Sequence, residues 1–111
     1  MTQKILVVDD SRPFRHVLMR FLQMEGYEVV LAEGGRDGLT KYSACQPDLV
    51  LMDAHMPQMD GFATVRELRQ FSSVPVLMRT LIQKSAREAK WGGSGMMASP
   101  AAGVPYANVS M

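Results

Sequence analysis

Cysteine is all but absent: the 111 residues include one, Cys45. A lone thiol closes no internal disulfide and builds no thiolate metal site, so the fold has to rest on its core. That usage fits a reducing, cytoplasmic setting. An excess of either charge is lacking too, with twelve Lys and Arg against eleven Asp and Glu for a formal +1. That balance leaves no electrostatic footprint for nucleic acid within this chain and no basic patch for a membrane surface. Long hydrophobic runs are also missing. The opening MTQKILVVDD meets two acids after Val8, too soon for a signal-peptide core or a membrane span. What remains is an ordinary globular composition, 47% hydrophobic and 21% charged, of a length that suits a single domain over residues 1–111. Charge is then missing locally. Residues 91–111, WGGSGMMASPAAGVPYANVSM, carry none, and from 92 onward the pattern specifies structure poorly.

Between those limits the chain alternates. Lys4 to Val8 is a short apolar run of the kind covered on both faces of a sheet. Asp10 or Ser11 can cap the helix after it, Pro13 suits its first turn, and Phe14, Val17, Leu18, Phe21 and Leu22 form one helical stripe that Gly26 ends. Tyr27 to Ala32 is a second strand. Gly34 to Ala44 is a helix with Leu39 and Tyr42 as its buried candidates. Asp48 to Asp53, DLVLMD, is a third strand ending in an acid. Asp60 caps a helix over Gly61 to Phe71, with Phe62, Val65 and Leu68 inward, and Val74 to Thr80 is a fourth strand. Leu81 to Trp91 has a helical composition, and Gly95 to Ala98 is a short fifth strand. Strands alternating with helices of this length predict βαβ units and a parallel sheet with helices on both faces.

Sites in such sheets form beyond the carboxyl ends of the strands, where the strand order switches. The first strand ends at Asp9 and Asp10 and the third at Asp53. In the order 2-1-3-4-5 those strands are neighbours and the three carboxylates converge. Like charges that close disfavour one another's ionised form unless a cation offsets them. A hard divalent ion with oxygen ligands is the natural partner, and Mg²⁺ suits a few carboxylates plus water and phosphate.

ILVVDDS at 5–11, LVLMDAHMPQMDG at 49–61 and VPVLMRT at 74–80 together resemble the receiver domains of two-component response regulators. The likeness runs over residues 3–80. It implies a flavodoxin-like, doubly wound parallel α/β sheet and a non-enzymatic phosphorelay role, with a histidine kinase or phosphotransfer protein as partner. It further implies Asp53 as phosphoacceptor, Mg²⁺ bound by Asp10 directly, by Asp9 through water, by Asp53 and by the backbone carbonyl of His55, and Thr80 as the hydroxyl that binds the phosphoryl group and moves with it. Phosphoryl transfer needs a positioned nucleophile and charge neutralisation, which such a set supplies.

Plainer readings stand beside these. Asp10 by itself is a helix cap, but a cap does not account for Asp9. Asp60 needs no role beyond capping. Thr80 on its own is a β-branched strand residue. His16 is a solvated helix residue, the ten methionines are core filler, and Cys45 is packing. D-A-H at 53–55 begins like the D-x-H-x-x-G of cobalamin-binding domains, but position 58 is Gln and the motif follows the third strand. An aspartyl-nucleophile phosphatase needs an acid two residues beyond Asp53, where His55 stands.

The pattern also departs from the family. The lysine expected at the end of the fifth strand aligns with Ser99, the aromatic switch position with Met96, and Leu81 follows Thr80 where a small residue is usual. Arg79 interrupts an apolar strand. The stretch beyond the fifth strand is too short for the family's last helix, which leaves an edge open to pairing and predicts self-association. Three accounts compete: a divergent receiver with weakened switching, a pseudo-receiver that binds partners without phosphorylation, and a truncated or frame-shifted receiver. Without the lysine, the expectation is a domain that accepts phosphate and signals it poorly.

Overall fold

Ile5, Leu6, Val7 and Val8 offer water no polar face, and the strand they form is covered on both sides. In the computed structural model, which describes residues 2–80, 95–97, 106–107 and 109–110, this is β1 (Lys4–Val8), with all four apolar residues buried. It pairs in parallel with β2 (Glu28–Ala32) on one side and β3 (Leu49–Asp53) on the other, and β3 pairs in parallel with β4 (Val76–Arg79). The order β2-β1-β3-β4 is the one the sequence predicts.

Because strand side chains alternate, each buried strand feeds two cores. Leu6, Val8, Val50, Met52, Val76 and Met78 face one way, onto α2 (Gly35–Cys45) and α3 (Gly61–Leu68), through Leu39, Tyr42, Val65 and Leu68. Ile5, Val7, Leu49, Leu51 and Leu77 face the other way, onto α1 (Arg12–Met24), through Leu18 and Leu22. Burying one such side chain is worth about 1.5–3 kcal/mol, so the two layers fix both the register and the height at which each strand ends.

Local signals set the helix ends. Ser11, not Asp10, is the N-cap of α1, its Oγ accepting from the Phe14 N–H at 3.3 Å, with Pro13 in the first turn. Gly26, at φ +96°, takes the left-handed turn after α1. Asp60 caps α3 as expected, its Oδ1 accepting from the Ala63 N–H at 2.8 Å. Asp60→Ala should therefore cost about 1 kcal/mol, measurable as a lowered urea midpoint with an unchanged slope.

Three expectations are corrected. Val17 and Phe21 are 67% and 59% exposed. The sheet covers only the arc through positions 14, 18 and 22, so side chains one step round the helix stay in water. Phe62 is 40% exposed for the same reason, the buried arc of α3 being Gly61, Thr64, Val65 and Leu68. The fifth strand, β5 (Gly95–Met97), lies beside β4 as predicted but runs antiparallel, with Arg79 opposite Met96. An antiparallel neighbour needs no helical crossover, so the run of parallel strands β2-β1-β3-β4 does not continue into β5. β6 (Tyr106–Ala107) pairs in parallel with Val76 and Leu77 of β4, and β7 (Val109–Ser110) pairs antiparallel with β5. The helix expected over 81–91, and Ser99, lie outside the described residues.

His16 is exposed, as read. Cys45 is half-buried at the end of α2. Burial pushes its thiol up despite the nearby Lys4 ammonium, which favours the protonated, unreactive form and a packing role. Among the described residues no helix is long and apolar enough to cross a membrane.

Candidate functional site

The same alternation that sorts the core places the chemistry. Residues 5 and 7 of β1, 49 and 51 of β3, and 77 of β4 face α1. One step of two further on, Asp9, Asp53 and Arg79 fall on that face at the carboxyl ends of three adjacent strands. Asp53 and Arg79 are register partners, and Asp9 continues β1, its N–H donating to the Ala32 carbonyl at 3.1 Å.

Asp9 and Asp53 are each 1% exposed, whereas Asp10 is exposed. One oxygen of each carboxylate in the set Asp9, Asp10 and Asp53 lies within 4.8 Å of the others. Asp9 Oδ1 accepts from the Ser11 N–H at 2.8 Å, and the Asp9 carbonyl accepts from Arg15 Nη1 at 2.7 Å. Asp53 Oδ1 accepts from the His55 N–H at 3.2 Å, which brings the backbone of residue 55 to the cluster while its side chain stays exposed. Thr80 follows β4 directly, half-buried at the same end of the sheet.

The loop after Asp53 is tied back tightly. Ala54 N donates to the Arg79 carbonyl at 2.9 Å, and Gly61 N donates to the Ala54 carbonyl at 3.0 Å. A Cβ at position 61 would collide with the Asp53 carbonyl oxygen and come to 2.9 Å from Ala54 Cα. The start of α3 is thus pressed against the backbone that carries Asp53, and only glycine allows it.

The family model described as the response regulator receiver domain matches residues 5–97. This chain belongs to the response regulator receiver family. A probable transcriptional regulator, ycf27, of Cyanophora paradoxa is 44% identical over 80 residues, covering 72% of this chain and 34% of the relative. The chain therefore spans about a third of the length of the curated relatives it matches. The N-terminal domain of a response regulator receiver protein from Methanoculleus marisnigri JR1 superposes with a TM-score of 0.71 at 36% identity, covering 80% of this chain and 75% of that one. Response regulator TrrA of Thermotoga maritima, solved in complex with Mg²⁺-BeF, superposes with a TM-score of 0.64 at 37% identity, covering 68% and 66%.

In this receiver domain the carboxylates already have a cation against them. Arg79 Nη2 donates to Asp9 Oδ2 and lies 3.7 Å from Asp53 Oδ1. Its guanidinium carbon sits 4.0 Å above the centre of the Phe14 ring, a stacking that favours a planar cation. The Arg79 side chain is only 7% exposed. In the sequence, Arg79 is an interruption of an apolar strand. The signal that finds its role is parity: 79 is two residues beyond Leu77, on the acid-bearing face.

The donor set nonetheless fits a hard divalent ion. Three carboxylates with oxygens inside 4.8 Å, beside a backbone turn at His55, match the all-oxygen preference of Mg²⁺. Three acids outnumber the guanidinium that bridges two of them, which suits a site for a cation. Met96 lies in β5 opposite Arg79, and Ser99 is not among the residues described.

Proposed function

We propose that this chain is the phosphoacceptor of a two-component relay, taking a phosphoryl group onto Asp53. The observation that carries the reading is a buried Asp53 at the carboxyl end of β3 with Asp9 and Asp10 oxygens within 4.8 Å. An Asp53 oxygen attacks the phosphorus of a phosphohistidine on a histidine kinase or phosphotransfer protein. The O–P bond forms as the P–N bond breaks, the imidazole leaves with the bonding pair, and the product is an acyl phosphate. Asp10, Asp53 and the His55 carbonyl would hold Mg²⁺ directly and Asp9 through water. Bound there, the ion would neutralise charge on the transferring group. The Thr80 hydroxyl donates to a phosphoryl oxygen. Passing the signal to transcription, as the name of the Cyanophora relative suggests, belongs to the same proposal.

The test is uptake of phosphate from a small phosphodonor such as acetyl phosphate, with Mg²⁺ and with EDTA. Hydroxylamine-labile incorporation that requires Mg²⁺ is expected. Mg²⁺ at millimolar concentration should also raise the melting temperature, because it binds the folded cluster and not the unfolded chain. The pairing of Arg79 with Asp9 and Asp53 favours one other reading, a receiver that binds partners without phosphorylation. Absence of uptake in either buffer would select it.

A further inference from the structure

Three carboxylates at one sheet edge need positive charge, and β4 supplies one from within the chain. The guanidinium of Arg79 bonds Asp9 Oδ2 and approaches Asp53 Oδ1 at 3.7 Å, so it spans two of the three acids. It is held there from below by the Phe14 ring at 4.0 Å and from behind by the register that sets Arg79 opposite Asp53. Asp9 has Oδ1 bonded to the Ser11 N–H and Oδ2 to the Arg79 guanidinium, so both of its carboxylate oxygens are already engaged. Mg²⁺ dehydrates reluctantly and keeps several waters when bound, and the guanidinium stands at the Asp9 oxygen that such a water would bond.

We infer that Arg79 is a tethered competitor of the divalent ion: its guanidinium occupies the acid cluster when metal is scarce and has to withdraw from Asp9 for Mg²⁺ to bind. The inference rests on the reading of the cluster as a metal site and adds the residue that sets its affinity. Two features make withdrawal feasible. Arg79 Nε is buried and has no hydrogen-bond partner among the described residues, so the paired arrangement leaves a donor unsatisfied and is not the best the side chain could have. Asp10 is exposed and can receive an ion from solvent first. The consequence is a receiver whose metal occupancy, and with it the freedom of Asp53 to react, responds to Mg²⁺ at higher concentration than the acids alone would dictate. Arg79 acts here as a positioning residue for Asp9 and Asp53 and takes no part in bond making.

Calorimetric titration with Mg²⁺ alone, on wild type, Arg79→Met and Arg79→Lys, tests this. Met keeps an unbranched chain over Phe14 and removes the charge, whereas Lys keeps the charge. Arg79→Met is expected to bind Mg²⁺ about tenfold or more tightly than wild type, within the usual range for coupled sites, with Arg79→Lys closer to wild type. Equal affinities in all three would overturn the competition and leave the metal site standing. No Mg²⁺ binding by any of them would remove the metal site and the competition together. If Arg79→Met does not fold without metal, nitrogen NMR of wild type decides. The Arg79 Nη2 protons that bond Asp9 should exchange slowly in EDTA and lose that protection as Mg²⁺ saturates, and an unchanged signal at saturation would overturn the inference.

Discussion

Asp53→Asn should take up no phosphate from a small donor while remaining fully folded. The amide keeps the shape of the carboxylate and can still accept from the His55 N–H that reaches Oδ1 at 3.2 Å. It cannot attack phosphorus to give an acyl phosphate, so the loss is complete and not a fraction. Stability should move the other way. Asp9 and Asp53 are both 1% exposed, and two buried like charges disfavour each other. With Asn at 53 the cluster carries one negative charge fewer, and Arg79 keeps its bond to Asp9. The melting temperature in EDTA should therefore equal or exceed that of wild type, and the rise on adding Mg²⁺ should largely disappear. Scanning calorimetry in both buffers, beside phosphate incorporation, reads each effect. A variant that still incorporates phosphate would place the acceptor elsewhere.

Gly61→Ala should be the most damaging single methyl in the described fold. In a helix Ala is favoured over Gly by roughly 0.8–1.0 kcal/mol, so a surface site would gain. Here the added Cβ meets the Asp53 carbonyl oxygen and lies 2.9 Å from Ala54 Cα. Both are backbone atoms, fixed by the Ala54 bond to the Arg79 carbonyl and the Gly61 bond to the Ala54 carbonyl. No side chain can swing away, so the clash outweighs propensity. A net loss of about 3 kcal/mol or more is expected, a fall of roughly 10–20 °C in melting temperature for a domain of this size. The loop bearing Asp53 should shift as α3 is pushed off, so phosphate uptake should fall as well, even at temperatures where the variant is folded. Gly61→Ala with wild-type stability would mean that α3 does not press on the strand that carries Asp53 as described.

Much of this was legible in the residues because the signals were local and repeated. The apolar runs ending in Asp9 and Asp53 read directly as buried parallel strands, and their neighbouring positions in the sheet come from the fold class. Asp60 announced itself as a cap by standing just before the α3 stripe. The illegible part depends on how much of a helix the sheet covers and on which strand faces which. Val17, Phe21 and Phe62 look buried by composition, yet each lies just off the covered arc. The antiparallel direction of β5 has no signature in Gly95–Met97, since three residues carry no polarity of pairing. Arg79 was visible as an anomaly and not as an answer. A charge inside an apolar strand is costly unless paired, and the pair is set by tertiary register 70 positions away in sequence. Of the two adjacent aspartates at the end of β1, the buried Asp9 is made tolerable by that arginine, and the proposed divalent ion would offset the charge that remains.

The claim at the centre of the account is that phosphate resides on Asp53 as an acyl phosphate. Borohydride reduces an acyl phosphate to the alcohol, which would convert residue 53 to homoserine. Wild-type protein incubated with a small phosphodonor and Mg²⁺, reduced and mapped by peptide mass spectrometry, should show homoserine at position 53 and aspartate there when EDTA replaces Mg²⁺. Unmodified aspartate at 53 in both samples, or homoserine at Asp9, Asp10 or any other acid, would contradict it.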